Sequence, residues 1–203
     1  RARNHLEWKK PAMGLPEIER FLETRPAGQL ATIAHEVRGH LLTAASRPLE
    51  AAQEFSAAIE LANAPSPDLY MHRATALQSA GEAHLPQAIL SLDEGIGRLG
   101  PVISLMQPAL ELEIRLKRFD AALERIERIR AALPRAETWL ARRGEVLVLA
   151  GRREEARESF VEALAKIAAL TERQRSTQAV RQLEKGILER LNELNSPSFI
   201  ASH

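Results

Sequence analysis

The chain has 203 residues, 45% of them apolar, enough to bury a substantial core and too many for extended disorder. Its 28 basic and 27 acidic side chains nearly cancel, so no whole-molecule field draws it to nucleic acid or to an anionic membrane. Cysteine is absent, which excludes disulfides and thiolate chemistry, and a composition led by Ala, Leu, Glu and Arg with only 4% aromatics is that of an all-α protein.

The chain opens on Arg1 rather than Met, which reads as an excised or processed segment of something longer. No apolar stretch reaches the roughly 18 residues of a membrane span. Residues 1–31 contain PEIERFLETRP, in which Phe21 stands 34 residues before Phe55. Residues 16–25 are therefore either the second helix of a half-repeat or a single N-terminal capping helix. If the former, an apolar face is left uncovered at this end.

From there the sequence is periodic. Ala51, Ala88, Ala122 and Ala156 follow one another at steps of 37, 34 and 34 residues, the length of a helix-turn-helix repeat. Four units of this kind span about 32–65, 67–101, 103–136 and 137–170, and together cover about 32–168 with their matching positions. In the last, Leu140, Gly144, Leu147, Gly151, Ala156, Phe160 and Ala163 occupy relative positions 4, 8, 11, 15, 20, 24 and 27. The first offers His35, Gly39, Leu42, Ser46, Ala51, Phe55 and Ala58 at the same places. The second has Tyr70, Ala74, Leu77, Gly81, Ala88 and Gly95, with two extra residues in its turn. The third is the loosest, with Met106, Leu110, Phe119, Ala122, Ile129 and Pro134. Its first helix is expected to start near Ser104, where Pro108 is tolerable, and to kink if it starts at Pro101. Val180, Leu183, Ile187 and Leu191 then recur at steps of 3, 4 and 4, the stripe of an amphipathic helix. Residues 174–193 are expected to cap the last unit, with Arg181, Glu184, Lys185, Glu189 and Arg190 outward, and 194–203 to form a frayed tail.

The stretch LARRGEVLVLAGRREEARESFVEAL resembles the tetratricopeptide repeat at almost every signature position, and the other units are similar to it. The resemblance implies an all-α fold, an α-α superhelix of about four hairpins stacked on one another. In that family the first helices line a concave surface through positions 2, 5, 9, 12 and 13. This implies Ile33, Glu36, His40, Thr43 and Ala44 from the first unit, and Asp68, Met71, Thr75, Gln78 and Ser79 from the second, with His72 beside them. The third supplies Ser104, Gln107, Glu111, Ile114 and Arg115. The fourth supplies Thr138, Ala141, Glu145, Val148 and Leu149, with Arg142 adjacent. Glu36, Asp68, Glu111 and Glu145 make this lining mildly acidic and suited to a basic or amine-bearing peptide, although an acidic row is more often simply solvated. Relatives that grip a carboxylate-ended chaperone tail carry Lys, Asn and Arg where this chain has Glu36, His40, His72, Ser104 and Pro108, so that clamp is rejected.

Other chemistry finds little support. HEVRGH places His35 and His40 five apart, about 140° around a helix, so they cannot share a metal as two histidines four apart would. His35 falls at a packing position. Glu36, His40 and His72, at positions 5, 9 and 6 of successive units, converge in relatives, and two imidazoles with a carboxylate suit zinc or copper. The ordinary reading is that such histidines touch peptide or water, and no metal or cofactor is expected. Gly95, Gly97 and Gly100 follow a helix rather than a strand and are expected to be packing and C-cap glycines, not a phosphate loop. Arginines from Arg125 to Arg153 alternate with glutamates and lack stacking aromatics, which argues against RNA. No serine nucleophile has its elbow or base.

The expected function is a non-catalytic scaffold that binds a protein or peptide, with no nucleic acid and no membrane span. The alternative is a structural or oligomerisation module attached to a domain outside this segment, with a homodimer through the N-terminal face. SPDLYMHRATAL, LDEGIGRLGP and TWLARRGEVL resemble uncharacterised bacterial tetratricopeptide proteins that often carry export signals, which favours a periplasmic or secreted location.

Overall fold

Helix formers interrupted at regular intervals by glycine and proline fold here into helical hairpins. The computed structural model describes residues 11–133 and 135–196. Its helices are α1 (Pro11–Glu23), α2 (Gln29–Ala44), α3 (Pro48–Leu61), α4 (Pro67–Ser79), α5 (Leu85–Leu99), α6 (Ile103–Arg115), α7 (Phe119–Ala132), α8 (Glu137–Leu149), α9 (Arg153–Ala168), α10 (Glu172–Arg175) and α11 (Gln178–Asn195). No strand occurs among the described residues. The helices pair as α2/α3, α4/α5, α6/α7 and α8/α9, one hairpin for each sequence unit. The chain divides into two compact units, residues 1–112 and 113–203, with the boundary inside α6.

Each hairpin turns at the same relative position. Ser46, Gly81, Lys117 and Gly151 all have positive φ, at 58°, 116°, 56° and 74°. In the first, third and fourth turns the following amide reaches back to the helix, Arg47 N–H to the Leu42 carbonyl at 2.9 Å, Arg118 to Glu113 at 2.8 Å and Arg152 to Leu147 at 2.9 Å. This pattern stops a helix by satisfying its last carbonyls and needs a left-handed residue, for which glycine carries no steric cost. The second turn instead opens at Gly81 and uses its two extra residues in a 3-10 turn, Glu82–His84. Proline at the first or second helical position starts α3, α4 and α5, where its missing N–H has no helical partner to lose.

In the first unit, α1 packs on α2, α2 on α3, α3 on α4 and α4 on α5. Gly39 lets the Phe55 ring lie on the α2 backbone, since a Cβ there would stand 2.8 Å from Phe55 Cε1. Gly95 does the same for Tyr70 and Leu105. Gly100 is the C-cap of α5, with φ 87°. Gly97 does neither, because it is exposed and nothing approaches its Cβ direction, which corrects its assignment as a packing or cap residue. On α1, Leu15 and Ile18 are buried whereas Phe21 is 39% exposed, so it has no counterpart to the Gly39 seat of Phe55. α6 begins at Ile103, one residue before Ser104, and runs through Pro108. An interior proline costs a helix about 3 kcal/mol, and complete burial of Leu105, Ala109 and Leu110 around it offsets that loss.

In the second unit, α7 packs on α8, α8 on α9, and α11 on both α9 and α8. Gly144 receives Phe160 still more closely, with a Cβ there 2.5 Å from the ring. The loosest repeat holds a buried ion pair: Arg125 Nε donates to Glu113 Oε2 at 2.8 Å and Nη2 donates to Oε1. Helix α11 seats Val180, Ile187 and Leu194 against the last hairpin. A short capped turn, Glu172–Arg175, precedes it, with Thr171 and Gln174 forming a reciprocal capping box. Most of the expected tail, residues 197–203, lies outside the described residues.

Candidate functional site

On α2, residues four apart share one face, and residues five apart do not. His35 accordingly turns toward α3, where its Nδ1 donates to Glu54 Oε2 at 2.8 Å, and Arg38 donates to the other carboxylate oxygen at 2.8 Å. The five-residue spacing thus sends the two histidines of HEVRGH to different partners.

Glu36 and His40 occupy the other face, their Oε1 and Nε2 3.9 Å apart, too far for a hydrogen bond. His72 reaches the same place from α4. Its ring stands 4.4 Å from that of His40, edge to face at 77°. One ligand atom from each of Glu36, His40 and His72 lies within 4.8 Å of the others. Beneath them is Phe55, whose ring centroid is 5.2 Å from that of His40 and 5.4 Å from that of His72. Phe55 is itself held against Gly39, so the repeat's own packing contact forms the floor of the cluster. Burial first, and the neighbouring His72 second, hold the His40 imidazole below the ordinary histidine pKa. It therefore stays neutral, with a lone pair available, further into mild acid than a free histidine.

The remaining first-helix residues fall into two groups. In the first unit, Ile33, Thr43, Ala44, Asp68, Thr75, Ser79, Ser104, Gln107 and Glu111 are exposed, and Met71 and Gln78 are half-buried. Gln29, Thr32, Ile33 and Glu36 border a depression of about 420 Å³, closed on the far side by Leu61 to Ala64, Ser66 and Leu69. In the second unit the arrangement differs. Ala141, expected on the open surface, is 4% exposed, because α11 lies over it. Glu145 is engaged with Arg142 Nη1 at 2.6 Å, and Gly186, Ile187 and Arg190 of α11 border the same small depression. Ile114, Arg115, Val148 and Leu149 remain partly or fully exposed.

Thr138 lies in a cleft of about 770 Å³ with Leu133, Arg135, Trp139, Ala179, Val180, Gln182 and Leu183. This cleft is lined mainly by apolar surface from α8 and α11, and reading the repeats did not single it out. Its only sequence signal was Trp139, one of two tryptophans in the chain, at a position where the repeat pattern carries no rule.

The geometry is that of the tetratricopeptide repeat fold, and comparison with solved structures shows the same. The chain is similar to MamA, with a TM-score of 0.61 and 16% identity over 81% of this chain and 93% of that one. It is similar to YrrB, described as a TPR protein with an unusual peptide-binding site, with a TM-score of 0.60 and 15% identity over 93% of this chain and 88% of that one. A TPR repeats protein from Bacteroides fragilis gives 0.55 and 14%, over 93% and 95%. No family model and no curated protein matches the sequence. The chain thus has the tetratricopeptide fold with its own sequence. No helix among the described residues is long and apolar enough to cross a membrane.

Proposed function

We propose that the protein is a non-catalytic scaffold that binds a peptide or protein segment on the first-helix faces of its first unit, α2, α4 and the start of α6. The observation that carries this reading is a division of labour on those helices. Ala34, Leu41, Tyr70 and Ala74 are buried. Glu36, Asp68, Met71, Thr75 and Glu111, on the same helices, keep solvent contact. A surface of short polar, acidic and thioether side chains on a rigid frame suits an extended partner with basic or amine groups. The peptide-binding site named for YrrB lies on a similar fold and lends support. In the second unit α11 covers Ala141 and its neighbours, so the docking surface is assigned to the first unit.

The test is fluorescence anisotropy with labelled lysine-rich and glutamate-rich peptides of equal length. The basic peptide is expected to bind more tightly and to weaken as salt screens the acidic groups. The triple variant Glu36→Gln, Asp68→Asn, Glu111→Gln should abolish the difference. Equal binding of both peptides, or an unchanged triple variant, refutes the reading.

A second reading rests on α1. Met13 and Phe21 are 55% and 39% exposed, an apolar face that suits a second copy or a neighbouring domain. Light scattering across a concentration series distinguishes the two, since a dimer lost in Phe21→Glu supports the structural role and a monomer throughout excludes self-association.

A further inference from the structure

We infer that Glu36, His40 and His72 form a binding site for one divalent late first-row metal ion, zinc foremost, with a fourth coordination position open to solvent. The donor set is the first reason. Imidazole nitrogen and carboxylate oxygen are what zinc takes in open three-ligand sites, whereas calcium and magnesium require oxygen-rich shells.

The spacing is the second. Metal–ligand bonds of about 2.0–2.2 Å around a tetrahedral ion set its donors roughly 3.4 Å apart. Here the Glu36 and His40 atoms are 3.9 Å apart and all three donors lie within 4.8 Å of one another. Side-chain torsions alone can close that difference. The contact between Glu36 and His40 is also too long for a hydrogen bond, so the donors face a common point without satisfying each other.

Support is the third. Glu36 and His40 are four apart on α2, about 40° in azimuth and 6 Å in rise, so a single helix presents both to one point. His72 comes from α4, a separate element, and the Phe55 ring beneath both imidazoles limits their tilt. Both carriers are interior parts of the first unit's packing, unlike a loop that would have to be ordered on binding. His40 is 29% and Glu36 38% exposed, which leaves an ion access from solvent. The site does not depend on peptide docking and stands or falls separately from it.

Isothermal titration of the full chain with zinc chloride at neutral pH tests the inference. One saturable equivalent is expected, with no heat from magnesium. His40→Gln and His72→Gln should each remove it, and Glu36→Gln should weaken it at least about tenfold, since even residues behind metal ligands cost 10–100-fold when changed. His84→Gln, distant in role and bonded to Gln87, should bind as the parent does. Circular dichroism confirms that each variant is folded. Cobalt substitution should give a visible d–d band that disappears in His72→Gln, a readout that loss of packing alone would not produce. Absence of saturable zinc binding overturns the proposal. So does a one-equivalent isotherm that survives His40→Gln or His72→Gln, which would assign the ion to His5, His203 or another histidine.

Discussion

The first and fourth hairpins are built on one plan and end with different surfaces. Each seats a phenylalanine of its second helix on a glycine of its first, Phe55 on Gly39 and Phe160 on Gly144. Each buries its repeat alanines completely, Ala51 and Ala58 in one and Ala156 and Ala163 in the other. One residue past the glycine they part. The first hairpin places His40 beside Glu36 and His72, half-exposed over Phe55. The fourth places Glu145 there, bound to Arg142 and bordered by α11. The layer that packs is set by the repeat, and the layer above it is set by whatever helix comes next: α4 in one case, α11 in the other.

The largest perturbation should leave the common layer and remove the distinction. Phe55→Ala and Phe160→Ala are each expected to cost about 3–5 kcal/mol by urea denaturation, the usual loss for a buried aromatic ring. Only Phe55→Ala should also weaken zinc binding, because only that ring lies under histidines. Adding a methyl group instead should separate the two seats by their tightness. Gly144→Ala meets the ring at 2.5 Å and Gly39→Ala at 2.8 Å. Overpacking costs about 1–3 kcal/mol, offset in part by about 1 kcal/mol of helix propensity, so the net destabilisation is expected to be larger at Gly144. Equal losses would show that the phenylalanines adapt alike.

The turns offer a smaller contrast. Ser46 and Gly151 hold the same left-handed position. Ser46→Gly should raise the urea midpoint and Gly151→Ser lower it, each by about 1 kcal/mol, the steric cost of a side chain in this conformation. Lys117→Gly should behave like Ser46→Gly. The smallest expected effect concerns pH. Since burial and His72 lower the His40 pKa in the folded state, acidification protonates the unfolded chain first. The His40 contribution is therefore present above the unfolded histidine pKa and is lost as pH falls through it toward the folded value. Metal-free parent protein should lose more stability between neutral and mildly acid pH than His40→Gln, and an equal loss would contradict the shift.

Much of the framework was readable in advance because it repeats. A position that must be glycine, alanine or phenylalanine to let two helices touch leaves the same mark every 34 residues, with the second turn offset by its two extra residues. The left-handed turns at Ser46 and Lys117 were less visible, since serine and lysine take a conformation that glycine would have advertised. The buried pair of Arg125 and Glu113 was not visible at all. Both residues looked like members of a solvated arginine–glutamate run, and only packing shows that they are enclosed together. The histidine cluster stood between these cases. Repeat register predicted that positions 5, 9 and 6 meet, but nothing in the sequence could tell a meeting at ligand distance from mere adjacency.

By itself the sequence determined the fold class and the glycine–phenylalanine seats, because close helix contact admits few side chains and the same constraint recurs in each unit. Tertiary structure alone decided which first-helix faces stay open. That depends on where α4 and α11 come to rest, and a helix's final neighbour is not encoded in the residues it covers. The difference explains why Ala141 read as exposed and is buried, while His40 and His72, three turns of argument apart in the chain, stand 4.4 Å ring to ring.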